Sequence, residues 1–219
     1  DGFELAVKER NGQLGGIDVE MIIVDDGRKV DNAKQIATRM VERDQVDVMT
    51  GIVWSNLALA VIPGVTADDT IYISPNAGPS LLAGKRCHPN YFNVAWQNDN
   101  LHEAMGQYVS DQGYQNVYLM APNYPAGKDA LAGFKRFYQG DIAGEVYTKL
   151  GQIDYAAELA QIRDAKPDAI YIFLPGGMGI NFIKQFMAAG LNKDIRLIQP
   201  GFGSDQDVIR AVGNDMLGI

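Results

Sequence analysis

The amino-acid sequence predicts an α/β protein of two lobes, each a parallel sheet covered by helices. Three observations carry that prediction. Apolar runs of strand length alternate with amphipathic helical stretches almost throughout the 219 residues. Two runs stop abruptly at small polar loops, Gly51-Ile-Val-Trp-Ser-Asn56 and Ile73-Ser-Pro-Asn-Ala-Gly78. Such loops at the carboxyl ends of parallel strands form the ligand crevice of an open sheet. Finally, the Gly- and Pro-rich stretch Pro75 to Asn90 is followed by a fresh start of the alternation at Asn98-Asp-Asn100. The expected division is 1–97 for the first lobe and 98–219 for the second.

The elements follow in order. Leu5, Ala6 and Phe3 line a short opening helix, and Asp18-Val-Glu-Met-Ile-Ile-Val24 reads as a strand. From Asn32 to Arg43, the residues Ala33, Ile36, Ala37, Met40 and Val41 recur on one helical face. Val46–Thr50 is a strand, Ser55–Thr66 a helix, Ile71–Ser74 a strand and Tyr91–Ala95 an extended piece. The second lobe begins with helix Asn100–Gln112, strand Val117–Ala121, helix Pro125–Tyr138 and strand Gly144–Tyr147. Helix Tyr155–Asp164, strand Ala169–Leu174, helix Gly179–Ala189, strand Arg196–Gln199 and helix Asp205–Val212 complete it. Gly113, Gly140 and Gly190 each sit just past a helix, where a left-handed cap favours glycine.

The chain opens on a helix, whereas the common doubly wound order places the first strand at the centre of the sheet. Strands 18–24 and 46–50 then lack a neighbour between them. The expectation is a fragment, or a later segment that supplies the strand.

Composition narrows the function classes. The net charge of −8 argues against nucleic acid, whose binding rests on Lys and Arg neutralising phosphates. No apolar run approaches the roughly 20 residues of a membrane span. Cys87 is the single cysteine, either a small buried hydrophobe or the partner of a cysteine outside this chain.

Enzyme signatures fail one by one. Gly177-Met-Gly179 lacks the third glycine of a dinucleotide loop. Gly78 to Gly84-Lys85 has the wrong spacing for a P-loop, with Arg86 where Ser or Thr would hold Mg²⁺. There is no G-x-S-x-G elbow. His88, in a loop, and His102, expected on an exposed helix face, stand at no metal-ligand spacing. Asp25-Asp26 and Asp68-Asp69 read as solvated turn residues, and Ser204-Asp205 as a helix N-cap. No catalytic set, metal or cofactor is expected. What remains is the chemistry of the two loops. Ser55 and Asn56 are N-cap types opening an apolar helix, so free N–H groups there favour a small anion.

Taken together, the pattern resembles the periplasmic substrate-binding proteins of ABC importers, of the type I fold, in the branch for branched-chain and hydrophobic amino acids and related carboxylates. Gly2-Phe-Glu-Leu-Ala-Val-Lys-Glu-Arg-Asn11 resembles the end of the family's first helix, and Asp25-Asp26 with the following helix its second unit. Val48–Ser55 and Ile73–Gly78 resemble its two ligand loops, and Tyr91-Phe-Asn-Val-Ala-Trp-Gln-Asn-Asp99 the crossing between lobes. Tyr124-Pro-Ala-Gly-Lys-Asp129 resembles the loop whose tyrosine closes over the ligand. The resemblance runs through the whole chain and lacks the family's opening strand and terminal third.

The resemblance implies two Rossmann-like lobes with a ligand cleft between them, no catalysis, a periplasmic location, a membrane permease as partner and a monomeric state. It places Ser55 on a ligand carboxylate, with Trp54 and Asn56 beside it, and backbone groups of Ala77 and Gly78, with Asn76 next to them, on the second loop. Tyr124, Met178 and Phe202 would close the other side. The family's amino-acid binders usually carry an acid in the last loop for the α-ammonium, whereas here it reads Pro200-Gly-Phe-Gly203. A buried ammonium without a partner costs several kcal/mol. A benzoate-like or phenylpropenoate-like acid is therefore the expected ligand. A branched-chain amino acid, or a ligand-sensing role in a receptor or regulator, are the alternatives.

Overall fold

The computed structural model describes residues 2–219. Helix α1 (Gly2–Glu9) buries none of its residues. After it comes an antiparallel hairpin, β1 (Gln13–Leu14) with β2 (Ile17–Asp18). The expected strand 18–24 is not formed: residues 19–24 have no regular structure, and Ile23 is 68% exposed. Its apolar pattern suits a strand, but among the described residues no strand runs beside it to complete its backbone hydrogen bonds, and a lone strand is not stable in water.

Helix α2 (Val30–Glu42) turns Ala33, Ala37 and Met40 inward. Strand β3 (Val48–Thr50), helix α3 (Ser55–Thr66), strand β4 (Ile71–Ser74), the short helix α4 (Ser80–Ala83) and strand β5 (Tyr91–Asn93) follow. The three strands form a parallel sheet in the order β3-β4-β5. The Gly/Pro-rich stretch thus contains α4, which the sequence pattern did not show. Cys87 is exposed and free, so the small-hydrophobe reading of it is corrected.

The second unit contains α5 (Asn100–Asp111), β6 (Asn116–Pro122), α6 (Pro125–Phe137), β7 (Asp141–Thr148) and α7 (Ala156–Ala165). Strand β8 (Ala169–Ile172), α8 (Gly177–Ala188), β9 (Arg196–Ile198) and α9 (Gln206–Val212) complete it. Its sheet is parallel, in the order β7-β6-β8-β9. Strand alternation sorts the core into two layers. Val117, Leu119 and Ala121 of β6, with Ala169 and Tyr171 of β8, face the layer that holds Phe134 of α6. Tyr118 and Met120, with Ile170 and Ile172, face the layer that holds Ile162 of α7 and Phe182 of α8.

Caps follow the sequence with two exceptions. Gly113 and Gly190 have φ of 82° and 70°, as left-handed caps require. Asp205 caps α9 by accepting from the N–H groups of Asp207 and Val208. Gly140 is no left-handed cap; it is small because a Cβ there would collide with the Tyr138 phenol and the Gln115 carbonyl. Ser55 is not an N-cap either: Trp54 holds that position, and no side chain caps α3. Among the described residues, no helix is long and apolar enough to cross a membrane.

Candidate functional site

Trp54, in the loop after β3, stands against Tyr124, which follows β6; Phe173 follows β8 and Phe202 follows β9. Its indole packs against the core of the first unit and against both core layers of the second. The turn that delivers it is strained. Gly51 has φ of 110° and Ile52 a φ of 59°. For a β-branched residue such a φ costs on the order of 1–3 kcal/mol, strain of a kind that gathers at functional sites.

An aromatic row crosses from one unit to the other. The Trp54 and Tyr124 ring centroids are 5.7 Å apart. Tyr124 stacks on Phe173 at 6.3 Å with an interplanar angle of 11°. Phe173 meets the edge of Phe202 at 5.6 Å. Burial, and secondarily the charge of Asp129, raise the Tyr124 phenol well above its ordinary pKa, so it stays a neutral hydroxyl. Phe173 was not among the candidates. Its signal was its position at the carboxyl edge of the run Ala169–Leu174, where side chains change from core to crevice.

Ser55 lies at the first-unit end of this row and is 2% exposed. Leu57 and Ala58 donate their N–H groups to the Trp54 carbonyl. Ser55 and Asn56 precede them, and the first N–H groups of a helix find no acceptor within it. The positive end of the α3 dipole is thus presented next to a buried hydroxyl, a setting for an anion. Asn56 Oδ1 is buried there without a hydrogen-bond partner. The Ser55 oxygen accepts from Asn98 Nδ2 at 3.1 Å. An amide cannot take up a proton, so this pairing does not activate Ser55 as a nucleophile.

The remaining candidates divide. Asn76 is exposed. The Ala77 carbonyl accepts from the Ser74 hydroxyl at 2.6 Å and from the Tyr91 phenol at 3.4 Å. Gly78 gives its N–H and its carbonyl to Asn98, at 3.2 and 2.8 Å, and neither group is left for a ligand in this arrangement. Met178 belongs to the packed core, and its sulfur accepts from the Gly151 N–H. The structure brings together Trp54, Ser55, Tyr124 and, through Phe173, Phe202.

His102 corrects the expectation of an exposed face. It is 2% exposed; Nδ1 lies 2.5 Å from the Tyr171 hydroxyl, and its ring meets Phe173 edge-on at 4.9 Å. Burial pulls its pKa down from 6.5 to about 4, against the opposing pull of Asp99, so it is a neutral member of the aromatic floor. The helical spacing of His102, Met105, Gly106 and Val109 was the available signal. His88 is a turn residue, its Nδ1 accepting from the Asn90 N–H at 3.3 Å. A cavity of about 310 Å³ lined by Ala37, Val41, Ala60, Val61 and Gly64 lies toward the carboxyl end of α3 and shares no residue with this site.

Comparison with known proteins bears on this geometry. A family model described as periplasmic binding protein matches residues 1–219. Among curated proteins, the Leu/Ile/Val-binding protein homolog 6 of Brucella melitensis biotype 1 is 23% identical over 225 residues, which cover 100% of this chain and 57% of that protein. Among solved structures, a solute binding protein of an ABC transporter from R. palustris, in complex with benzoate, superposes with a TM-score of 0.90 at 30% identity, covering 98% of this chain and 59% of that one. Another, from Rhodopseudomonas palustris BisB5 in complex with 3,4-dihydroxy benzoic acid, gives 0.89 at 32% identity, covering 99% and 60%. The substrate binding protein of a branched-chain amino acid transporter from Streptococcus pneumoniae, in complex with isoleucine, gives 0.81 at 23% identity, covering 97% and 61%, and shares the fold. The chain spans about 57% of the length of the curated relatives it matches.

Proposed function

The chain belongs to the periplasmic binding protein family, and from that membership we propose that the protein captures a small aromatic carboxylate between its two α/β units. It delivers this acid, unchanged, to the membrane permease of an ABC importer, and it works outside the cytoplasmic membrane as a monomer. The carboxylate sits on the Ser55 hydroxyl and the N–H groups that open α3. The aromatic body lies along Trp54, Tyr124, Phe173 and Phe202.

The observation that carries this reading is the unbroken aromatic row beginning beside a buried, uncapped helix start. A flat acid matches both ends of it: an anion at the helix, and rings that favour offset or edge contact with another ring. An amino acid also needs a carboxylate for its ammonium. Pro200-Gly-Phe-Gly203 carries none, and Asp129, the acid nearest to Ser55 in the hydrogen-bond network, is already bonded to Asn98 and to the Ser80 N–H. The complexes of similar proteins with benzoate and 3,4-dihydroxy benzoic acid support the same choice.

Thermal unfolding of the intact protein with a panel of aromatic and branched-chain acids tests it. A ligand at 100 times its dissociation constant adds about 2.7 kcal/mol, so benzoates raise the melting temperature more than leucine or valine. A larger rise with leucine than with every aromatic acid would reverse the assignment.

A further inference from the structure

We propose that Asn98 is the closure latch of this site, holding the Ser55 hydroxyl in the direction a carboxylate needs and tying it to Asp129 of the opposite unit. The inference rests on the carboxylate reading of Ser55 given above.

The geometry around Asn98 is fully committed. Its Nδ2 donates to Ser55 Oγ at 3.1 Å and to Asp129 Oδ2 at 3.0 Å. Its Oδ1 accepts from the Gly78 N–H at 3.2 Å, and its own N–H donates to the Gly78 carbonyl at 2.8 Å. Every side-chain hydrogen and the amide oxygen are used. The same Asp129 oxygen accepts from the Ser80 N–H at 3.0 Å. Ser55, Gly78 and Ser80 belong to the first unit, Asp129 rides on α6 of the second, and Asn98 lies in the segment that joins them. One side chain therefore connects the start of α3, the loop after β4, the linker and α6.

The polarity of this network gives it a function. Asp129 is an acceptor only, so the amide must turn its NH₂ toward Asp129 and hence toward Ser55. Ser55 Oγ is thereby fixed as an acceptor, and its own hydrogen is free for a further acceptor, which a carboxylate supplies. The chain of bonds runs from Asn98 to Ser55 to the ligand, each link polarising the next. Separating the two units would break the Asp129 bonds to Asn98 and Ser80 and release the orientation of Ser55. Holding the carboxylate and holding the units together become one event. Gly78 is part of the device, since a Cβ there would run into the Trp96 carbonyl and the Asn93 side chain. Only glycine lets this loop lie against Asn98.

The test is stopped-flow binding of benzoate to the intact protein, followed by the fluorescence of Trp54 in a Trp96→Phe background, with leucine as a second probe. Asn98→Asp keeps the shape of the side chain but reverses its polarity. The new carboxylate faces Asp129 and draws the Ser55 hydrogen to itself, and the dissociation constant rises on the order of a hundredfold. Asn98→Ala and Asp129→Ala each weaken binding by roughly tenfold, mostly as faster dissociation, and the double variant is weakened by less than the product of the two, since both cut the Asp129–Asn98–Ser55 path while only Asp129→Ala also removes the bond to the Ser80 N–H. In a Ser55→Ala background, Asn98→Ala has a smaller effect than in the wild type, since only its tie to Asp129 and Gly78 is left to lose. Wild-type affinity in Asn98→Asp, additive single effects, or a lowered melting temperature with an unchanged dissociation rate would each overturn the latch. A wild type that binds leucine and not benzoate would overturn the aromatic reading alone, and the same variants then score the latch on the leucine carboxylate. Binding of neither probe would overturn both.

Discussion

In the second sheet, β6 runs between β7 and β8 with Val117, Leu119 and Ala121 fully buried, while in the first sheet β3 pairs on one edge only and leaves Val48 48% exposed. Both sheets are parallel and both read as strand–helix alternation in the sequence. They differ in cover: β8 of the second sheet is buried at every residue, whereas β3 of the first buries only Met49. Parallel strands gain their stability from cover on every side, and β6 has it while β3 does not. The candidate site lies where the two units meet. Tyr124 and Phe173 extend from the more deeply buried second sheet, whereas Trp54 and Ser55 come from the less covered first one, through the strained turn at Ile52.

Truncation on the two sides of this comparison should give opposite results. Phe182→Ala removes a fully buried ring packed on Tyr155 and Phe186 and should cost about 3–5 kcal/mol in denaturant unfolding. Val94→Ala, just past β5 of the first unit, removes a side chain that is 70% exposed and should stay within about 0.5 kcal/mol. Equal losses would mean that the first unit is packed as tightly past β5 as the second is at α8 and that the contrast between the sheets is false.

The buried histidine of the second unit gives the next largest effect. Folded His102 is held near 4, below its ordinary 6.5, so the unfolded chain takes up the proton first. Its contribution is complete above pH 6.5 and is lost as the pH falls from 6.5 toward about 4, amounting to about 3 kcal/mol by linkage. His102→Asn keeps a polar atom for the Tyr171 hydroxyl and removes the titration. The difference in unfolding free energy between wild type and this variant should shrink across that window. A difference independent of pH would mean that His102 is not desolvated.

The legibility of the molecule in its sequence follows the same divide. The second unit was readable because β6 and β8 are buried on both faces and its helices repeat every three to four residues. In the first, Asp18–Val24 has the alternation of a strand, but alternation reports which face is apolar and not whether a neighbour exists. Of the proposed site, the positions of Trp54, Ser55 and Tyr124 just past strand ends were readable. Ser55 was assigned a capping role that Trp54 holds, an error of one residue with a chemical consequence, because an uncapped start leaves its N–H groups free. Asn98 and Asp129 carry no local signal. Their roles depend on bonds to residues 43 and 31 positions away in the chain, and no periodicity records such partners.

The account turns on the Ser55 hydroxyl meeting a carboxylate beside the aromatic row. Calorimetric titration of benzoate into the intact wild-type protein and into Ser55→Ala measures this directly. Loss of a hydrogen bond to an ionised group corresponds to about 1.5–3 kcal/mol, an affinity roughly ten- to a hundredfold lower. Because Ser55 does not cap α3, the unfolding free energy should change by less than about 1 kcal/mol. Benzoate affinity unchanged by Ser55→Ala would contradict the account and move the anion site away from the start of α3.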